Sequence, residues 1–545
     1  MLLLAGLLAA MPCSVFFTNL AWVLLLANWA AEWDWKPKWH RLRRNALLHA
    51  YLALFALAAA GLLWSENLEY GVDYLRRLLP WAAVPTVVLT SAPLRARHVR
   101  RLLALYVTAV LVVSAVGLGR FLLLPGLPHR QLVPSISHIR LALHCCMAIF
   151  LLLVFALEPM MSYYRSRAAH GAPRQRPSLR ELAQSLAAQS HVQHFDWLSL
   201  LSLALILWLL LFLMLLQSYT ALIILFLATP VAILAYWRRM PLPALRWAAL
   251  LLWAAIGVAG GMAVGHQVRE YYRPQPIALR PLEARTPSGN PYTHAQDGLM
   301  ESGNYINNWV CERELAQEWQ RRCGTSVYAP AGNGYAIYPA LVRYLNAKGL
   351  AKDSAGVAQL SEGDLHAIAR GVANPVYLHG ISLKRMVYVM LFEYESGRKL
   401  HSVTGFTMLQ RFDLWRAGWR VFKAAPLAGT GTGDVVDALH QQLAAQGSPL
   451  ASTSKHTHNQ YLTLLMTFGM AGCALLLLLL ARAAVRHRIW RNPLLLIHLA
   501  IVAISCCSED TLETLAGCTF VCVLGTLLSR PEPPHTPINA TQTGE

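Results

Sequence analysis

His458-Asn459-Gln460-Tyr461-Leu462, closing on Gly469-Met470-Ala471-Gly472, sets a histidine where a long polar region runs into a strongly apolar helix. If that helix crosses a bilayer, the histidine stands at a membrane surface as a proton acceptor suited to neutral pH. An interfacial histidine at a helix start fits the same position. The rest of the chain has to separate the two.

The 545 residues are 56% apolar and 14% charged, against about 25% charged in soluble domains. Runs long enough to cross a bilayer recur, about 20 apolar residues sufficing for each. Spans are expected near 1–11 and 15–31 (with Pro12 at the break), 46–64, 77–92, 102–123, 139–160, 196–216, 218–237 and 247–264. Three more are expected near 459–480, 494–507 and 512–529, about twelve in all. The apolar start lacks a basic n-region and a cleavage site, so it reads as a retained span. The expected fold is all-α and polytopic. Transmembrane helices fill 1–264 and 456–530, a helical domain fills 265–455, and a cytoplasmic tail occupies 531–545.

A net charge of +19 would suit nucleic acid, but its distribution argues otherwise. The bases crowd into Lys36 to Arg44, Arg95 to Arg101, Arg165 to Arg180, Arg238-Arg239 and Arg482 to Arg491. With twelve spans these loops share one side with both termini, which the positive-inside rule makes the cytoplasm. The opposite loops are poor in bases: Ser65 to Tyr74 is acidic, and Ser508-Glu509-Asp510 carries none. No nucleic-acid partner is needed.

That orientation puts 265–455 outside the cytoplasm, a stretch too long to be structureless. Glu312 to Arg322 and Ala336 to Lys348 read as amphipathic helices, and Ser361-Glu362-Gly363-Asp364 as a capped helix start. Ten cysteines say little about redox state, because eight lie in or beside spans, where they act as small apolar residues. Cys311 and Cys323 lie in the polar interval. On one continuous helix they would stand about 18 Å apart, so a disulfide between them requires a helix break.

Gln410 to Lys423 carries a possible apolar stripe of Leu409, Phe412, Trp419 and Phe422 among basic side chains. A helix near 408–424 lying at the membrane interface and binding membrane lipids fits this pattern. So does an arginine helix gripping phosphate, Arg411 foremost, through bidentate hydrogen bonds. Pro426-Leu427-Ala428-Gly429-Thr430-Gly431-Thr432-Gly433-Asp434 follows, a turn that permits close backbone approach but lacks the lysine of a nucleotide loop.

Taken in order, Arg411 with Trp415, Pro426 with Gly429 to Gly433, His458-Asn459-x-Tyr461-Leu462 and Gly469-x-x-Gly472 resemble the O-antigen ligase superfamily. That superfamily also holds O-antigen polymerases and bacterial protein O-oligosaccharyltransferases. Ile136-Ser137-His138-Ile139-Arg140 and Ser508 to Thr514 look like its Bacteroidetes-type branch. The resemblance implies a GT-C-like inner-membrane glycosyltransferase of lipopolysaccharide biosynthesis, with its active site facing the periplasm of a Gram-negative cell. It implies a metal-independent, inverting transfer without cofactor, from an undecaprenyl-diphosphate-linked glycan to a lipid A–core sugar. Diphosphate leaves readily, so arginines that neutralise its charge and one base of pKa near 6.5 make a sufficient catalyst.

Carried over residue by residue, His458 is the general base and Arg411 the donor-diphosphate ligand. Arg416 is a possible helper that could equally face lipid, and Asn459, Trp415 and Glu509 are supporting residues. The family's further arginine after a serine near a span boundary is missing here, where Gln217-Ser218-Tyr219-Thr220 stands. Arg140 is the substitute candidate, although snorkelling to the interface explains it as well. Glu509 and Asp510 could orient His458, pair with Arg140 or sit in a solvated loop. The rivals to an O-antigen ligase are a polymerase or protein transferase using the same donor chemistry, a polytopic transporter, and a non-catalytic membrane receptor.

Overall fold

The computed structural model describes residues 1–124, 128–169, 192–240, 243–296, 298–380, 382–400, 407–453 and 455–529. The expected cytoplasmic tail at 531–545 and residues 170–180 of the basic run from Arg165 to Arg180 lie outside the described residues. The chain divides into two compact units, Met1–Trp253 with Leu414–Gln446 and Ser454–Glu545, and Ala254–Asp413 with Gly447–Thr453.

The first unit is helical. It contains α1 (Leu2–Ala10), α2 (Val15–Ala31), α3 (Trp35–Arg44), α4 (Ala46–Ala60), α5 (Leu68–Thr90), α6 (Ala96–Leu123), α7 (His138–Ala169), α8 (Val192–Leu215) and α9 (Tyr219–Tyr236). α10 (Pro243–Tyr272) follows. Seven of the described helices are long and apolar enough to cross a membrane, and α2 with α3, bent by 117°, can form an eighth crossing. The protein is a polytopic, all-α membrane protein. The other four segments of the expected twelve are α1, the charge-bearing α5, and two short apolar helices near the end of the chain. Twelve therefore stays an expectation. Leu207, Leu211, Leu252, Leu477 and Leu478 are exposed, an apolar surface of the kind a bilayer covers. Cys145, Cys146, Cys506, Cys518 and Cys522 sit in the apolar core, as small apolar residues do.

The second unit packs α11 (Glu312–Cys323), α12 (Ile337–Ala347), α13 (Ser354–Ala358) and α14 (Glu362–Ala369) around Leu315, Trp319, Leu341, Leu345 and Ile368. β1 (Met300–Glu301) and β2 (Asn304–Tyr305) form a short antiparallel hairpin, and α15 (Leu383–Leu400) follows. At α14 the Ser361 side chain accepts from the Asp364 amide while Asp364 accepts from that of Ser361, the reciprocal cap foreseen in the sequence. α11 runs unbroken from the residue after Cys311 to Cys323, and both cysteines are free. The helix break a disulfide needs is absent.

Buried charges in this unit are densely partnered. Glu301 is fully buried and accepts from Arg343 at 2.7 and 3.1 Å, from Asn374 at 3.0 Å and from the Tyr388 hydroxyl. Lys352, equally buried, donates to Asn346 Oδ1 at 2.8 Å, and the Asn346 amide donates to the Glu301 carbonyl. Burial pushes the Lys352 ammonium down to about 7 against the attraction of Glu301. Burial raises the Asp364 carboxyl, but hydrogen bonds from Lys348, Tyr344 and Ser361 outweigh it and hold the group below the usual carboxylate range.

Candidate active site

Five helices remain: α16 (Thr407–Ala424), α17 (Val435–Ala445), α18 (Gln460–His487), α19 (Pro493–Ser505) and α20 (Leu515–Leu528), and the motif residues lie on and between them. α18 is broken at Gly469, whose φ of 62° and ψ of −171° interrupt the hydrogen-bond ladder. The Gly-rich turn repairs the break. Thr430 and Gly431 amides donate to the Met466 and Thr467 carbonyls at 2.8 and 3.1 Å, and Met470 and Ala471 amides donate to Pro426 and Leu427. Groups freed within an apolar helix are thereby satisfied by protein, as a bilayer environment requires. A Cβ on Gly469 would stand 2.2 Å from the Leu427 oxygen, and one on Gly429 2.4 Å from that of Thr467. The glycines serve backbone packing. The turn then ends on Asp434, whose carboxylate accepts from the Glu66 and Asn67 amides at 2.8–3.0 Å, just ahead of α5.

At the start of α18 the chain is pinned on both sides of the histidine. Asn459 is the N-cap, accepting from the Leu462 amide at 3.1 Å, so its supporting role is local and structural. Thr457 is buried, its hydroxyl 2.6 Å from that of Thr463, and its carbonyl accepts from Trp415 Nε1 at 2.9 Å. Between them His458 is held at φ 50°. That left-handed backbone costs an L-residue about 1–2 kcal/mol, sustained by the contacts around it. Its imidazole is 37% exposed, with Nδ1 3.6 Å from Asp510 Oδ2.

The loop carrying Asp510 is anchored from two directions. Gln460, fully buried, donates to Glu513 Oε1 at 2.7 Å and accepts from the Leu512 amide at 2.8 Å. Arg140, 8% exposed, donates to Thr511 Oγ1 at 3.0 Å and to the Asp510 carbonyl at 3.2 Å. Burial, reinforced by Glu509, raises the Asp510 carboxyl, while His458, His456 and Arg140 oppose the rise. Burial, with Arg77, His458 and His440 adding to it, lowers His456 against the pull of Asp510. Glu509 is buried and lines a crevice with Ser218, Thr220 and Ile139, the stretch where the sequence lacks the further arginine.

The arginines of α16 divide. Arg411 is half-buried and belongs to the second unit, whereas Arg416 is exposed and belongs to the first. The stripe read from the sequence as an interfacial face is distinct from the face buried in the protein, the two sharing Phe422. Leu414, Ala417, Gly418, Val421 and Phe422 are buried, while Phe412 and Trp419 are 53% and 45% exposed. The buried face turns toward Leu462 and Met466 of α18, because Gly418 lets the helices meet closely.

Sequence reasoning did not single out Arg77. Tyr70, Tyr74, Arg77 and Trp81 follow one another at helical spacing on α5, and Trp81 Nε1 donates to the Leu512 carbonyl at 3.2 Å beside Glu513. That polar, aromatic stripe in an otherwise apolar chain was the available signal.

Residues 367–477 match a family model described as O-antigen ligase. No curated protein matches the chain.

Proposed function

We propose, from the membership of the O-antigen ligase superfamily that this match supports, that the chain transfers a glycan from undecaprenyl diphosphate to a sugar hydroxyl of lipid A–core. The observation that carries the reading is His458 itself: a half-exposed imidazole beside Asp510, at the mouth of a membrane helix, within the matched segment.

In the proposed step the acceptor hydroxyl attacks the anomeric carbon while the bond from that carbon to the phosphate oxygen breaks. The diphosphate leaves with the bonding electrons, and the configuration inverts. The hydroxyl proton passes to His458 Nε2, while Asp510 faces Nδ1 and stabilises the imidazolium that forms. Arg411 binds the diphosphate and offsets its charge. Arg140 spends two donors on the Thr511 hydroxyl and the Asp510 carbonyl, so its proposed part is to hold that loop. Site and donor would face the periplasm, with both termini cytoplasmic, because the reverse orientation moves the basic loops outward.

Glycan transfer by the purified protein in detergent, where no compartments exist, separates this reading from a transporter. Lipopolysaccharide gels of a deletion strain then identify the acceptor. Bare core is expected for a ligase. Core bearing one repeat would make the chain a polymerase, and unchanged lipopolysaccharide a protein transferase.

A further inference from the structure

Arg77 lies on the α5 face that packs against the loop from Asp510 to Glu513, the loop that carries the carboxylate partner of His458. Its guanidinium rests against two rings, 5.4 Å from the centre of Tyr70 and 5.5 Å from that of Tyr74, and interacts with the Tyr70 hydroxyl through a side-chain hydrogen bond. Two of its nitrogens, Nε and Nη2, are shut off from solvent without a hydrogen-bond partner among the described residues. The nearest carboxylate is that of Asp73, 3.6 Å from Nε and 61% exposed, beyond hydrogen-bond range. Yet the side chain as a whole keeps 31% of its surface open.

An ordinary structural arginine spends its donors. Arg140, on the other side of the same loop, does so. A desolvated guanidinium whose Nε and Nη2 stay unspent is unfavourable unless something else completes it, and two aromatic faces with one tyrosine hydroxyl supply only part of that compensation. An oxyanion with several acceptor oxygens is the natural complement, since the planar fork of arginine matches phosphate geometry. The surroundings are rich in basic groups: His440, His458 and Arg77 all act electrostatically on His456.

We propose that Arg77 is a ligand for a diphosphate oxygen of the donor, taking the place of the arginine missing beside Ser218. This rests on the glycosyl-transfer reading above. It assigns the second clamp to α5 instead of α7, and makes Arg77 a substrate-binding residue while Arg140 holds the loop.

The test uses the full chain in detergent, with farnesyl diphosphate as the probe and binding followed by calorimetry. Arg77→Gln should weaken binding by about tenfold to a hundredfold, the effect of losing a charge-assisted hydrogen bond. Arg77→Lys should recover part of the loss by keeping charge without the fork. Asp73→Asn, which removes only the neighbouring carboxylate, should bind as wild type or more tightly. Equal affinity for wild type and Arg77→Gln would overturn the assignment. So would a matching loss of thermal stability in Arg77→Gln and Asp73→Asn with affinity intact, because Arg77 would then be a structural partner of Asp73. Should Arg77→Gln fail to fold, Arg77→Lys decides: several-fold weakening supports the clamp, undiminished affinity refutes it. A wild-type protein that binds no diphosphate would instead remove the donor reading itself.

Discussion

Two buried polar clusters are built on opposite plans. In the second unit, Glu301 collects hydrogen bonds from Arg343, Asn374 and Tyr388, and Asp364 collects them from Lys348, Tyr344 and Ser361. Around His458 in the first unit, the imidazole and Asp510 stand 3.6 Å apart, and two Arg77 nitrogens are buried without a hydrogen-bond partner among the described residues. A carboxylate that holds a fold collects donors, because an unsatisfied buried group costs about 1–3 kcal/mol, although the Asn304 Oδ1 and the Tyr271 hydroxyl of the same unit are buried without a hydrogen-bond partner among the described residues. A cluster that exists to meet a substrate keeps capacity in reserve. The unspent donors of Arg77 are a physical argument, separate from the family resemblance, for the site proposed above.

The largest expected effect lies on the reserved side. His458→Ala should lower glycan transfer by about 10²–10⁴-fold, the usual contribution of a positioned base. Farnesyl diphosphate binding should survive, since arginines are proposed to hold the donor. His458→Gln keeps polarity without basicity, and wild-type turnover by that variant would return the residue to its interfacial role and erase the contrast.

On the satisfied side the same kind of change should strike stability. Glu301→Gln leaves the Arg343 charge without its partner, and breaking such a buried pair costs about 3–5 kcal/mol. Hydrogen exchange over Ile337–Ala347 in the full chain reads the loss, which should appear as faster exchange across that helix. Unchanged exchange would mean that the network is ornamental and the comparison misplaced.

A smaller effect comes from Lys352. Its folded-state pKa is pushed down to about 7 from an unfolded value of about 10.4, so between those values the unfolded chain binds more protons. Stability of the second unit should therefore rise with pH across that window, by at most about 1.4 kcal/mol per pH unit. Lys352→Met should flatten this slope in the same exchange measurement; a persisting slope would assign it to another group.

The particular residues show how far reading the chain can go. The cap at Ser361 and the helix at Glu312 were plain from local pattern, because each satisfies its own backbone within a few residues. Asn459, expected as a supporting site residue, caps α18 by accepting from the Leu462 amide, again a local bond. The buried face of α16 was not legible in its sequence, which showed only an apolar stripe suited to a membrane interface. Its partners Leu462 and Met466 lie about 45 residues along the chain, and no periodicity within α16 announces which side they will take. Arg77 escaped notice for the same reason: its neighbours at Leu512 and Glu513 are brought to it by folding.

By itself the sequence determined that the protein is polytopic and helical, where its basic loops cluster, and which histidine begins α18. These follow from the length of apolar runs, the asymmetry of lysine and arginine, and helix-capping chemistry, all properties of neighbouring residues. Only the tertiary structure decided that the Gly429 turn mends the break at Gly469, that Arg140 is committed to the Asp510 loop, and that Arg77 keeps donors unspent. Those outcomes depend on residues that are tens to hundreds of positions apart in the chain, and a donor's satisfaction is a property of the space around it, not of the chain beside it.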